Sequence, residues 1–491
     1  MNSKNKILYL DNSKLQCFFY LFLIINIFLS INSGIYHIQL FEITDNYLNN
    51  FFALVNIYRF SIIFVITFLS IFLVFFLKSK IDQESKFFIS YLIVQFIVLL
   101  IYERDKRILD VHSPQIYDSI AYLFASMSSL LIFNLVNPEI KKKFIKYFFF
   151  FLIFFFIIFS SFFLKELYIE SLTNINNDYL YSSSTLKPAG NHFGQPNPRV
   201  TGLSRIVLIL FILFVTLTIY KDKINKFYLF LFAIFGFICC FNIWALQSRG
   251  SIFGVIFFGL IFLVFFKINF LKKIFIFLFL FLLPVITYEQ IYKKELYKIR
   301  EIIKNNASSF VDQSNQSNWQ KFIIKQNTWE NVEATKRLIL PDVVDVKLNE
   351  YSSGRLKIWE NCFKILIEHK YFFGFGPQAD RYLITKYLKN DLHASWGNNA
   401  SNAFLYSLLS AGIIGMLFVL YIYIQSIKLL YFFAFRIKVF DGSQVLPITF
   451  FSILSFILFR SLFENSFLVF GIDFFLFIIS YFYLKISLKK S

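Results

Sequence analysis

Four arginines stand where an anion would be held. Arg199 and Arg205 flank a turn-rich stretch, NHFGQPNPRVTGLSR at 191–205. Arg249 lies in QSRG between two apolar runs with almost no loop to hold it, and Arg355 lies in SSGRLKIW at a predicted helix start. An arginine pinned by so short a turn cannot wander. Its planar guanidinium stays charged and grips phosphate oxygens two at a time, and the free N–H groups of a helix start favour the same anion. The chemistry that suits these residues is the binding of a phosphate-like group. A single arginine also has a structural reading, in which its head snorkels to lipid phosphates. Four of them, each beside a turn or helix start, weaken that reading.

Other residue types narrow the chemistry. No Asp-rich cluster suited to a divalent metal stands in the loops, and Cys17, Cys239, Cys240 and Cys362 show no metal-ligand spacing. Arg460 and Glu464 stand at i, i+4 spacing in an apolar stretch, with Asp473 close behind. Charges in such stretches usually face a bundle interior and pair with one another, so a structural ion pair is expected there.

The elements that must position these residues are membrane spans. The chain has 491 residues, 57% hydrophobic and 16% charged, with 72 Phe; a soluble domain carries about 25% charged residues. Crossing the hydrocarbon takes roughly 20 helical residues. Runs of that kind fall at 15–32, 59–77, 87–102, 115–136, 144–165, 203–220, 226–247, 250–267, 271–291, 403–427, 445–463 and 466–484. They lack the period-2 alternation of barrel strands. The expected fold is therefore an all-α polytopic membrane protein of about twelve spans. The first run has no clear cleavage site behind it and reads as a retained anchor.

Orientation follows from the basic rims. Lys4, Lys6 and Lys14, Lys78 to Lys86, Lys141 to Lys146, Lys221 to Lys226, Lys267 to Lys273, Lys428 to Lys438 and Lys485 to Lys490 all fall on one side if both termini are cytoplasmic, as the positive-inside rule requires. These rims account for most of the net charge of +19, so no nucleic-acid partner is implied and membrane lipids are the expected surroundings. The chain divides into N-terminal spans (1–165), an outer loop (166–202), central spans (203–291), a large outer loop (292–402) and C-terminal spans (403–491).

Within the large loop, RLKIWENCFKILIEHK at 355–370 predicts an amphipathic helix. Leu356, Trp359, Phe363 and Leu366 form one stripe, with Ile358, Cys362 and Ile365 alongside. Ser352 or Ser353 is placed to cap its start, and GFGP at 374–377 ends it. Such a helix can also simply lie on the membrane surface.

The succession of QSRG at 247–250, SSGRLKIW at 352–359, FGFGP at 373–377 and SNAFLYSLLSAGIIGML at 401–417 resembles the O-antigen ligase and polymerase superfamily of membrane glycosyltransferases, over roughly residues 190–430. The resemblance implies a GT-C-like fold in the bacterial inner membrane with its active site on the periplasmic face. It also implies an undecaprenyl-diphosphate-linked glycan as donor, a lipid-anchored or glycan acceptor hydroxyl, and transfer without metal or cofactor. Arg249 and Arg355 match the arginines that the family places around the diphosphate, with Arg199 and Arg205 in support. Cations at a departing diphosphate stabilise the charge that develops there. The family histidine before an H-N-x-x-L asparagine is missing, since Ser401 stands in its place; His393 is the nearest histidine. Asp380 and Arg381 in GPQADR are further candidates for base and phosphate ligand. Asn402 is expected to orient the substrate, and Gly412 with Gly415 to permit close helix packing.

Two other function classes remain open at this point. A transporter or flippase of lipid-linked sugars would place its charges at mid-membrane in matching halves. A carboxylate-dependent glycosyltransferase would need its acid in the first outer loop, where Glu42 and Asp45 stand unpaired.

Overall fold

The computed structural model describes residues 25, 47–76, 81–102, 116–135, 143–145, 147–148, 153–154, 200–219, 225–246, 249–266, 268–295, 297–298, 355–369, 372–388, 400–435 and 445–488. Among the described residues the regular structure is helical, with no strand. Helices run over Tyr47–Phe76 (α1), Gln83–Ile101 (α2), Ile116–Leu135 (α3), Val200–Ile219 (α4), Lys226–Ala245 (α5) and Arg249–Phe265 (α6). They continue over Phe270–Glu295 (α7), Arg355–Glu368 (α8), Ala379–Leu388 (α9), Ala403–Phe435 (α10), Val445–Arg460 (α11) and Ile472–Leu488 (α12). Every expected span from 59–77 onward, except 144–165, coincides with one of these helices. By length and apolar composition α2, α5, α7 and α10 suffice to cross a membrane, and residues 61–76, 119–135, 204–219, 250–265 and 445–460 form shorter apolar helices.

The bundle is built around α12. Every residue from Ile472 to Leu484 is buried, so this helix is apolar all round because protein surrounds it. Around it α1 packs on α3, α4 on α5, α10 on α2, and α11 on both α12 and α4. Hydroxyls glue the crossings, as small polar side chains do in apolar surroundings. Thr216 and Thr449 Oγ1 lie 2.9 Å apart between α4 and α11, and Thr67 Oγ1 donates to the Phe124 carbonyl across α1 and α3 at 3.0 Å. Phe459 is sandwiched between Phe253 and Phe257, centroids 5.0 and 4.8 Å away. On the outside, Phe68, Phe72, Phe75, Phe76, Phe270 and Phe275 are exposed. Such a surface suits hydrocarbon rather than water.

Two helices depart from regular geometry, each for a stated cause. In α7 the turns at Leu278–Leu282 and Thr287–Tyr292 widen on either side of Pro284, whose missing N–H interrupts the ladder. In α10 the backbone breaks at Gly412, with φ 64° and ψ −160°. The segment 372–376 fills that break. Phe375 and Gly376 N–H donate to the Leu409 and Ser410 carbonyls at 2.7 and 2.8 Å, and Ile413 N–H donates to the Phe372 carbonyl at 3.2 Å. This corrects the expectation of a glycine pair at one helix crossing. Gly412 is needed for its left-handed φ and for the approach of the 372–373 backbone, whereas Gly415 faces Tyr91 of α2.

The amphipathic helix forms as expected, over Arg355–Glu368, but its inward face is the second of the two stripes together with Leu366 of the first. Ile358, Asn361, Cys362, Ile365 and Leu366 are buried, while Leu356 and Phe363 are exposed together with Ile367, Phe372 and Phe373. Lys357 and Lys364 flank Glu360 on the exposed side at 3.1 and 2.9 Å. Their hydrogen bonds hold the Glu360 carboxyl below the usual carboxylate range.

Candidate functional site

One end of the bundle collects the starts of α4, α6, α8, α10 and α12 and the end of α11. Ser251 Oγ donates to Ser204 Oγ at 3.0 Å, joining the first turns of α6 and α4. The Ala403 N–H donates to the Ser461 carbonyl and Asn402 Nδ2 to the Leu462 carbonyl, both at 2.9 Å, which staples the start of α10 to the turn after α11. Asn402 Oδ1 also accepts from the Leu405 N–H at 3.0 Å, as a helix cap does. The amide expected to orient substrate is thus committed on both sides to the scaffold.

Arginines from three of these elements meet there. Arg460, the last residue of α11, pairs with Asp473 in the first turn of α12, and Arg205 of α4 reaches the same carboxylate oxygen at 3.4 Å. Arg355, the first residue of α8, donates from Nη2 to Glu464 Oε1 at 2.9 Å. Gly250, next to Arg249, packs against the Arg460 guanidinium; a Cβ there would lie 3.4 Å from Nε. The structural ion pair expected among Arg460, Glu464 and Asp473 forms between Arg460 and Asp473, not between the i, i+4 neighbours Arg460 and Glu464. Helix α11 stops at Arg460, the chain turns through 461–465, and each of the two residues takes a partner from another element.

The two carboxylates sit differently. Asp473 has a side chain 6% exposed, clamped between two guanidiniums, whereas Glu464 is 27% exposed and held by one. Among the described residues three guanidiniums thus reach two carboxylates. The Nε donors of Arg355 and Arg460 are buried without a hydrogen-bond acceptor. A buried donor left unmatched asks for an acceptor that the protein does not supply, and helix starts grouped around it add positive potential.

The remaining expected site residues fall elsewhere or outside the description. Arg199 and His393 lie outside the described residues, as do Ser352, Ser353 and most of the 166–202 and 292–402 loops. Arg249 opens α6, and its side chain is likewise outside the description. Asp380 is 1% exposed, and its Oδ2 accepts the Ala400 N–H at 2.8 Å. It ties the start of α9 to the start of the α10 strand of chain. Arg381 is half-buried beside it. Ser401, standing where the resemblance implies a histidine, is buried with φ 45°. Burial pushes the Cys362 thiol up, out of the range of a reactive thiolate.

Glu464, Asp473 and Arg460 are the residues that site reasoning from sequence left out. The signal was present as charges in the last two apolar runs, which read as a private structural pair.

Helical composition and apolar helices define a polytopic membrane protein of the all-α class. Residues 234–420 match the model of the family described as O-Antigen ligase, so this segment is similar to that family. The match takes in Arg249, Arg355, Asp380 and Asn402, while their neighbours Arg205, Arg460, Glu464 and Asp473 lie beyond it. Neither the comparison with curated proteins nor that with solved structures found a match.

Proposed function

We propose that the protein is a membrane glycosyltransferase of surface polysaccharide assembly, transferring glycan from undecaprenyl diphosphate to an acceptor hydroxyl on the periplasmic face of the inner membrane. The observation that carries this reading is the gathering of Arg205, Arg355 and Arg460 around two carboxylates among the described residues, with the buried Nε donors of Arg355 and Arg460 unmatched. A diphosphate supplies acceptor oxygens and negative charge together. Arg249 at the start of α6 is assigned to the same headgroup, with Arg199 and Arg381 as outer contacts. As the bond to the diphosphate breaks, charge develops on its oxygens, and guanidiniums already in place stabilise it without rearrangement. The arginines take the neutralising role that a divalent cation plays elsewhere, so transfer should survive EDTA; an absolute need for magnesium or manganese, measured on purified protein, would count against this assignment.

A transporter gains no support from the broken helix, because the groups freed at Gly412 are taken by the 372–376 backbone instead of lining a passage. The experiment that tests the proposal is deletion of the protein in its own bacterium. Loss of a polymerase leaves surface lipid bearing a single repeat unit, and loss of a ligase leaves bare core with polymer stranded on the carrier. An unchanged surface glycan would reject both.

A further inference from the structure

We propose that Glu464 is the general base that takes the proton from the acceptor hydroxyl; this rests on the transfer reaction above. Proton removal from an attacking hydroxyl requires a group that lies at the leaving-group arginines, is reachable by a second substrate, and has a lone pair to spare. Among the described residues Glu464 meets all three conditions. Its Oε1 is bound by Arg355 at 2.9 Å, its Oε2 has no hydrogen-bond or ion-pair partner among the described residues, and the side chain is 27% exposed. The turn that bears it is rigid. Phe463 N–H donates to the Arg460 carbonyl at 2.9 Å, and the Ser461 and Leu462 carbonyls are held by Ala403 and Asn402. One oxygen anchored and the other open fixes the direction in which the carboxylate can accept.

Other candidates fail on geometry. Asp473 is 6% exposed and lies between Arg205 and Arg460, so it serves to hold those two cations at one place. Asp380 is buried against Ala400, and Glu360 is held by two lysines on the outward side of α8. His369 stacks on Tyr387 at 3.9 Å, at the far end of α8, about 21 Å along the helix from Arg355.

The step balances as follows. A lone pair of the acceptor oxygen forms the new bond to the anomeric carbon. The bond from that carbon to the diphosphate oxygen breaks, and its electron pair leaves with the diphosphate. The hydroxyl proton passes to Glu464 Oε2 and from there to solvent. Donor binding primes this transfer. When a diphosphate shares the Arg355 guanidinium, the charge that held Glu464 is divided between two anions, and the carboxylate is released towards the acceptor.

The test uses the purified full chain with an undecaprenyl-diphosphate-linked oligosaccharide as donor, and reads donor binding and transfer separately. Glu464→Gln should bind the donor at least as tightly as the parent while losing about 100-fold or more in kcat, the usual scale of a positioned base. The acid limb of its rate profile should disappear; the other charged groups assigned to the site are Arg199, Arg205, Arg249, Arg355, Arg381, Arg460 and Asp473, of which only Asp473 is a carboxylate, and it is retained in this variant. Glu464→Asp should keep that acid limb with intermediate kcat, and guards against a folding defect in the glutamine variant. An active parent whose Glu464→Gln variant keeps kcat within about threefold and an unchanged profile would overturn the inference alone and return His393 to consideration. A parent that binds the donor but never transfers it would overturn the functional reading, and this inference with it.

Discussion

A guanidinium is informative when its surroundings leave it short of acceptors, and Arg355 and Arg460 are both in that position through their buried Nε groups. Arg355→Ala and Arg249→Ala should each abolish transfer while leaving insertion intact, and Arg355→Lys should restore little, because an ammonium cannot make two parallel contacts with one phosphate; a transfer assay on membranes checks both. The two carboxylates should separate by their burial. Asp473→Asn leaves the buried Arg460 without the carboxylate it pairs with, a loss of about 3–5 kcal/mol for a broken buried pair, visible as a much lower unfolding midpoint in detergent. Glu464→Gln removes a half-exposed contact worth at most about 1 kcal/mol, so its midpoint should barely move. At this scale the sequence placed Arg249 and Arg355 beside helix starts, where both are found, because turns and helix starts are local. It did not show their partners. Arg355 and Glu464 are 109 residues apart, and the i, i+4 spacing of Arg460 and Glu464 pointed to a helix that in fact stops at Arg460, before it can bring Glu464 round.

At the scale of elements, periodicity and apolar length carried the reading well, since a helix is set by its own residues. The α8 boundaries follow from its pattern and from the GFGP that stops it. Which stripe of α8 faces inward did not follow, because both are apolar and the choice depends on what packs there. The break in α10 was equally hidden: AGIIG reads as a small-residue helix face, and only the docked 372–376 segment explains Gly412. A side chain at that φ costs about 1–2 kcal/mol, and its Cβ would also collide with the Phe372 carbonyl. Gly412→Ala should therefore lower the unfolding midpoint clearly. Gly259→Ala, in regular helix with its nearest neighbours at ordinary contact distance of 3.4 Å, should leave it almost unchanged. Equal effects of the two substitutions would show that the break is not maintained by Gly412.

At the scale of the whole molecule the charges sort by end. Asp473, with Arg205 and Arg460, stands at the start of α12, while Lys485 near its end pairs with Glu84 and approaches Asp82 at 3.9 Å, about 18 Å further along the helix. Asn134 joins this second group, its Oδ1 accepting from the Asp82 N–H at 3.0 Å and its Nδ2 donating to Ser85 at 2.8 Å. Lys86 and Lys485 stand at that end, and the arginine cluster stands at the opposite one. On the positive-inside rule we propose that the Lys485 end faces the cytoplasm and the arginine end the outer face, where a lipid-linked donor would meet its acceptor. Reporter fusions at residues 180 and 340 should accordingly read as periplasmic, and fusions at 224 and 440 as cytoplasmic. The pairs constrain each other: 180 and 224 bracket α4, and 340 and 440 bracket α10. If the fusions read with both pairs inverted, Arg205 and Arg355 would face the cytoplasm, and a periplasmic transferase site at this end of the bundle would be untenable.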